Sequence, residues 1–144
     1  MTKTYRVSAP RRAANALMSS LSRFGLAGRH VYVLTVVGRK SGKAYSCPVT
    51  LIEGEERWLV SPYGEVAWVR NARAAGEVQL TRKGHAERLQ IEEVSAELAA
   101  PILQRYIATI PIVRPYFDVT PSSPITEFIA EAPRHPVFRL STNA

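Results

Sequence analysis

A chain of 144 residues with 46% apolar side chains has material for one domain whose core needs no disulfide or metal staple. Its single cysteine excludes an internal disulfide, and His30, His85 and His135 lie too far apart to suggest a metal site. Nineteen Lys and Arg against twelve acids leave a formal charge of +7, which favours an anionic partner: a polyanionic cofactor, lipid headgroups or nucleic acid.

Residues 1–7 are polar and lack the apolar run of a signal peptide. No later stretch reaches the roughly 18 apolar residues that span a bilayer, so a cytoplasmic protein is expected. Ser8 and Pro10 suit a helix cap and first turn, and Gly25 a terminator. Between them Ala13, Ala14, Leu17, Met18, Leu21 and Phe24 form one apolar face, flanked by Arg11, Arg12 and Arg23. Such a helix either packs on the rest of the domain or lies reversibly on the anionic inner face of the cell membrane. Residues 1–28 are read as this amphipathic segment and 29–144 as a cofactor-binding domain.

Five extended segments follow, at 31–37, 44–52, 57–61, 77–82 and 86–94, and Val137 to Leu140 reads as a short closing strand. Short turns at Gly38 to Gly42, Glu53-Gly54-Glu55 and Lys83-Gly84 favour an antiparallel meander or barrel over a parallel sheet. The fold class is therefore mainly β with flanking helices. Pro48 inside the second strand lacks a ladder donor and predicts an edge, bulge or opening where backbone is free to meet a ligand. Helices are expected at 65–75, closed by Gly76, and at 96–110, capped by Ser95, with Pro101 delaying or kinking the latter. The stretch from Pro111 to Pro136 carries six prolines and reads as an irregular cover. Cys47 is expected in the core, and the three histidines in turns or on the surface.

Two segments carry candidate chemistry. Gly38-Arg39-Lys40-Ser41-Gly42-Lys43 sits at a hairpin tip, where glycines let backbone N–H groups converge and three cations add charge-assisted contacts to an anion. Ser61-Pro62-Tyr63-Gly64 follows directly on a strand, a common place for functional loops. Trp68 and Asn71 share a face of the following helix, with Arg70 and Arg73 on the neighbouring face. No helix-turn-helix pair, zinc finger or paired aromatic strand motif supports nucleic-acid binding.

In this order, Leu34-Thr35-x-x-Gly38-Arg39-Lys40-Ser41-Gly42-Lys43, then Pro48, the Ser61 segment and Trp68-x-x-Asn71 resemble the deazaflavin-dependent nitroreductase family. Its members are split β-barrel reductases, related to FMN-binding and PNP-oxidase-like folds, that use coenzyme F420. The likeness covers residues 31 to 91 well and extends more loosely to Leu140. It implies hydride transfer to a hydrophobic electrophile: a quinone, an activated alkene, an unsaturated lipid or a nitro compound. It also implies that Gly38, Arg39, Lys40, Ser41, Gly42 and Lys43 hold the phosphate and polyglutamate tail. Pro48, Val49, Ser61, Pro62, Tyr63 and Gly64 would surround the ring, with Trp68, Arg70 and Asn71 nearby. Ser61, Tyr63, Tyr106 and Tyr116 are the candidate proton donors, and Tyr116-Phe117 a candidate lid. Pro62 and Tyr63 stand where relatives often have Lys-Gly, which removes one cofactor-facing cation and adds an aromatic. Split barrels of this kind are often homodimers. The loop would also serve the single phosphate of FMN, and a non-catalytic cofactor carrier or membrane-surface module is the remaining alternative.

Overall fold

Six antiparallel strands close into a barrel: β1 (Val31–Val37), β2 (Ala44–Glu53), β3 (Arg57–Val60), β4 (Glu77–Arg82), β5 (His85–Glu93) and β6 (Val137–Thr142). Their spatial order is β1-β2-β3-β6-β5-β4, and β4 returns to pair with β1. The computed structural model describes residues 30–142, so the amphipathic helix expected between Ser8 and Gly25 lies outside the described residues. No helix among the described residues is long and apolar enough to cross a membrane.

Alternation places one side-chain set of every strand inside the barrel. Leu34 and Val36, Leu51, Leu59, Val78 and Leu80, Leu89, Phe138 and Leu140 form this buried interior. Helix α1 (Ala67–Ala75) packs on β1 and β4 and adds Trp68, Val69 and Ala72 to the same core. It ends at Gly76, whose φ of 75° is the left-handed conformation that suits glycine.

A second core lies outside the barrel wall. Ile52, Val60 and Val137 meet α2 (Ala96–Thr109) and α3 (Ile125–Glu131), with Leu103, Ile107 and Phe128 at its centre. Ser95 caps α2 by accepting from the Leu98 N–H at 3.4 Å. The expected late start at Pro101 is not what forms: α2 begins at Ala96 and runs through Pro101 to Thr109. Pro101 is solvent-exposed near the first turn, where water can satisfy the carbonyl it leaves without a donor.

The expected irregular cover is also corrected. Residues 111–136 contain α3 and two 3-10 turns, Pro111–Tyr116 and Ala132–Arg134. Pro111, Pro124 and Pro133 sit at the starts of these elements, where a missing N–H costs nothing. Proline here punctuates helices rather than preventing them.

Pro48 marks an opening. β2 pairs with β1 from Ala44 to Thr50, but with β3 only at Leu51, Ile52 and Glu53. The Leu51 N–H donates to the His30 carbonyl and the Gly38 N–H to that of Lys43. Hydrogen-bonded pairs alternate along the ladder, so Val33 and Pro48 form a pair that exchanges no such bonds. The nitrogen of Pro48 therefore faces away from β1, along a stretch with no strand partner among the described residues.

Leu59 has no exposed surface in the barrel core, whereas Val37 is 53% exposed. Leu59→Ala is expected to cost about 2–5 kcal/mol in denaturant unfolding, and Val37→Ala no more than about 0.5 kcal/mol.

Candidate active site

The basic loop is a built structure. The Gly38 N–H donates to the Lys43 carbonyl at 2.7 Å, and the Gly42 N–H to the Gly38 carbonyl at 3.0 Å. Gly42 has a φ of 72°, and a Cβ at Gly38 would fall 2.6 Å from the Tyr45 ring. Glycine is thus required twice, once for conformation and once for space. The Ser41 hydroxyl accepts from the Lys43 N–H and lies 3.2 Å from the Tyr45 hydroxyl.

Asn71, only 5% exposed on α1, fastens this loop. Its Oδ1 accepts from the Arg39 N–H at 3.1 Å and from the Arg39 guanidinium at 2.7 Å. An amide carries no charge, so Arg39 is oriented without being neutralised. Lys40, Lys43 and Arg70 are exposed and have no carboxylate partner among the described residues. Arg73 was expected to act beside Arg70, but it is held by Glu65 and Glu93, each at 2.8 Å.

Between loop and helix lies a cleft of about 280 Å³. Residues 38–41 form one wall, Tyr45, Ser46 and Cys47 of β2 another, and Ala67, Trp68 and Asn71 of α1 the third. Trp68 is both wall and anchor, since it is 8% exposed and its ring sits 6.1 Å from that of Phe138. Burial pushes the Cys47 thiol up to about 12, which leaves it an inert wall. Sequence reasoning named the loop, Trp68 and Asn71 but missed Tyr45, Ser46 and Ala67. The signal was available, because they flank Cys47 on the strand entering Pro48 and precede Trp68 on the helix.

The other candidate residues gather elsewhere. A second cleft of about 320 Å³ is lined by Pro62, Tyr63, Gly64, Tyr116, Arg134 and His135. Tyr63 and Tyr116 meet edge to face with ring centroids 4.5 Å apart. Burial raises the Tyr63 pKa above its ordinary value, so at neutral pH it is a hydrogen-bond donor. Ser61 is fully buried, and its hydroxyl donates to the Gly64 carbonyl at 2.5 Å, closing the turn rather than facing a ligand. Tyr106 is 3% exposed beneath Phe117 and lines neither cleft, and burial drives its pKa far above the usual phenol range. Pro48 and Val49 lie on β2 outside both cleft walls, as do Gly42, Lys43 and Arg70.

His135, expected in a turn or on the surface, is instead 2% exposed. Its Nδ1 lies 2.8 Å from the Pro62 carbonyl and its Nε2 2.7 Å from Oε2 of the buried Glu131. Its ring stacks on Phe117 at 3.7 Å. Burial holds the imidazole pKa below its ordinary value, against the opposing pull of Glu131. Both contacts are satisfied together only when a proton lies between Nε2 and Oε2, because the Pro62 carbonyl takes the one on Nδ1.

A family model described as F420H(2)-dependent quinone reductase matches residues 9–126. The chain belongs to this family. It is an oxidoreductase that works with coenzyme F420, as the ordered motifs from Leu34 to Asn71 implied. No curated protein matches the chain. Among solved structures, an F420-H2 dependent reductase is similar at 17% identity and a TM-score of 0.55, over 78% of this chain and 95% of that one. A putative pyridoxamine 5'-phosphate oxidase from Listeria innocua is similar at 13% identity and 0.55, over 92% and 94%. A protein described as a domain-swapped dimer is similar at 16% identity and 0.57, over 92% and 100%. These likenesses show a shared split-barrel fold.

Removing the amide that fastens the loop tests the first cleft of this reductase. Asn71→Ala should weaken F420 binding about tenfold or more in a fluorescence titration, the equivalent of one lost hydrogen bond to a charged group. Retained far-UV circular dichroism would assign the loss to the loop.

Proposed function

We propose that the chain reduces a quinone, with F420 held between the basic loop and the open edge of β2. The observation that carries this reading is the cleft itself: an aromatic wall at Trp68 beside cations that no carboxylate among the described residues neutralises. Arg39, Lys40, Ser41, Gly42 and Lys43 would hold the phosphate and acidic tail, with Arg70 one turn along α1 from the wall residue Ala67. The backbone around Pro48 and Val49, with no strand partner on one side among the described residues, would meet the ring. These residues suit the group, because a flat anion needs one apolar surface and a converging set of donors.

Bound reduced F420 supplies the hydride, and the chain supplies position and hydrogen bonds. The second cleft, with Tyr63 and Tyr116 as its aromatic sides, would take the acceptor. Tyr63 remains protonated at neutral pH and can donate a hydrogen bond to an acceptor oxygen as negative charge develops there. Solvent then completes protonation. Ser61 and Tyr106 drop out as donors in this reading, the first committed to Gly64 and the second buried.

The family's description favours a quinone over an activated alkene, an unsaturated lipid or a nitro compound. A lipid quinone would be reached most directly if residues 1–28 rest on the inner face of the membrane. The resemblance to a domain-swapped dimer supports a homodimer, which sedimentation would detect.

Anaerobic oxidation of reduced F420 by a soluble naphthoquinone tests the proposal. Lys40→Glu with Lys43→Glu should raise the Kd for F420 at least about tenfold and flatten its salt dependence, since screened cation contacts are what it removes. Unchanged affinity would take the loop out of the site. Tyr63→Phe should lower kcat for the quinone several-fold, by roughly one hydrogen bond, and leave the F420 Kd alone.

A further inference from the structure

Glu131 is 3% exposed at the end of α3, and the proposed reduction gives it no part. It nevertheless collects three contacts. Oε2 accepts from the Asp118 N–H at 3.3 Å and meets His135 Nε2 at 2.7 Å, while Oε1 accepts from the Arg134 guanidinium at 2.5 Å. Arg134 is steadied in turn by Asp118 at 2.7 Å. Burying a carboxylate in this way is costlier than filling the same volume with an apolar side chain, unless its directional contacts serve some purpose.

The contacts lead to both sides of the second cleft. Through His135 the chain of bonds reaches the Pro62 carbonyl, one residue before Tyr63. Through Asp118 it reaches the backbone two residues after Tyr116, and the intervening Phe117 stacks on the His135 ring with the planes 15° apart. The turn bearing Tyr63 is pinned from the same segment a second time, because the Ser61 N–H donates to the Pro136 carbonyl at 2.9 Å. Ring electrostatics favours the edge-to-face angle, and a hydrogen-bonded chain fixes the backbone from which each ring projects.

We propose that Glu131 and His135 are positioning residues of the acceptor cleft, one carboxylate holding Tyr63 and Tyr116 at their edge-to-face separation through Pro62 and Asp118. This rests on the reading that the cleft between the two tyrosines takes the acceptor. Acceptor binding is then sensitive to Glu131, which does not line the cleft. F420 binding is not, because the basic loop and α1 are fastened separately by Asn71.

The test compares four full-length variants for F420 Kd, quinone KM, kcat and melting temperature. His135→Phe keeps a ring for Phe117 but loses the bond to Pro62. His135→Asn places an amide donor where Nδ1 stood. Glu131→Gln puts an amide N–H where Oε2 stood, which can still meet His135 but no longer accepts from Asp118, and Tyr116→Ala opens the cleft directly. The expected result is a KM about tenfold higher for His135→Phe and Glu131→Gln, most of it recovered in His135→Asn, with F420 Kd within about twofold of the parent. If Tyr116→Ala raises KM while the His135 and Glu131 variants only lower the melting temperature, the pair is a folding staple and the proposal fails. If Tyr116→Ala leaves KM unchanged, the acceptor binds elsewhere, and both that reading and the positioning role are overturned.

Discussion

A strand that pairs with one neighbour from Ala44 to Thr50 and with the other, among the described residues, only from Leu51 to Glu53 organises this molecule. The stretch that β3 leaves free is anchored to β1 along its length, so it is held in place although half of its backbone groups have no strand to meet among the described residues. A flexible edge would have to be ordered at each binding event, with a corresponding loss of affinity. A rigid one presents its carbonyls and N–H groups ready-placed. Pro48 protects that arrangement, since a strand missing one outward donor is a poor template for another chain to pair with.

Charge is distributed with similar economy. Several arginines of the barrel and its cover are matched: Arg57 with Glu87, Arg73 with Glu65 and Glu93, Arg134 with Asp118 and Glu131, Arg139 with Glu92 and Glu56. The cations of the 38–43 loop have no carboxylate partner among the described residues, and Arg39 meets the neutral amide of Asn71. Residues 1–29 carry most of the net charge of +7, so the loop cations matter by their placement at the rim of one cleft rather than by an overall excess.

Much of this was legible in the sequence because it follows local rules. The bounds of β1 and β4 come straight from β-branched and alternating patterns, and α1 and α2 from a terminating Gly76 and a capping Ser95. The hairpin glycines and their cations announced the loop. What escaped notice depends on partners distant in the chain. His135 looks unremarkable until Pro62, 73 positions away, is found against its Nδ1. Ser61 resembles a reactive hydroxyl until the turn brings the Gly64 carbonyl to it. α3 was hidden because prolines were weighed by number, whereas their positions at element starts decide what they do.

The barrel wall separates two hydrophobic cores, one enclosed with α1 and one shared between the outer wall and α2 and α3. The two clefts divide along similar lines: the loop and α1 border the first, and the segment around α3 borders the second. Substitutions in the cover can therefore accumulate without repacking the layer that carries Trp68 and Asn71. Such a partition makes the protein evolvable in one direction in particular. Under the proposed division of the clefts, descendants could trade one acceptor for another while inheriting the same grip on the electron donor.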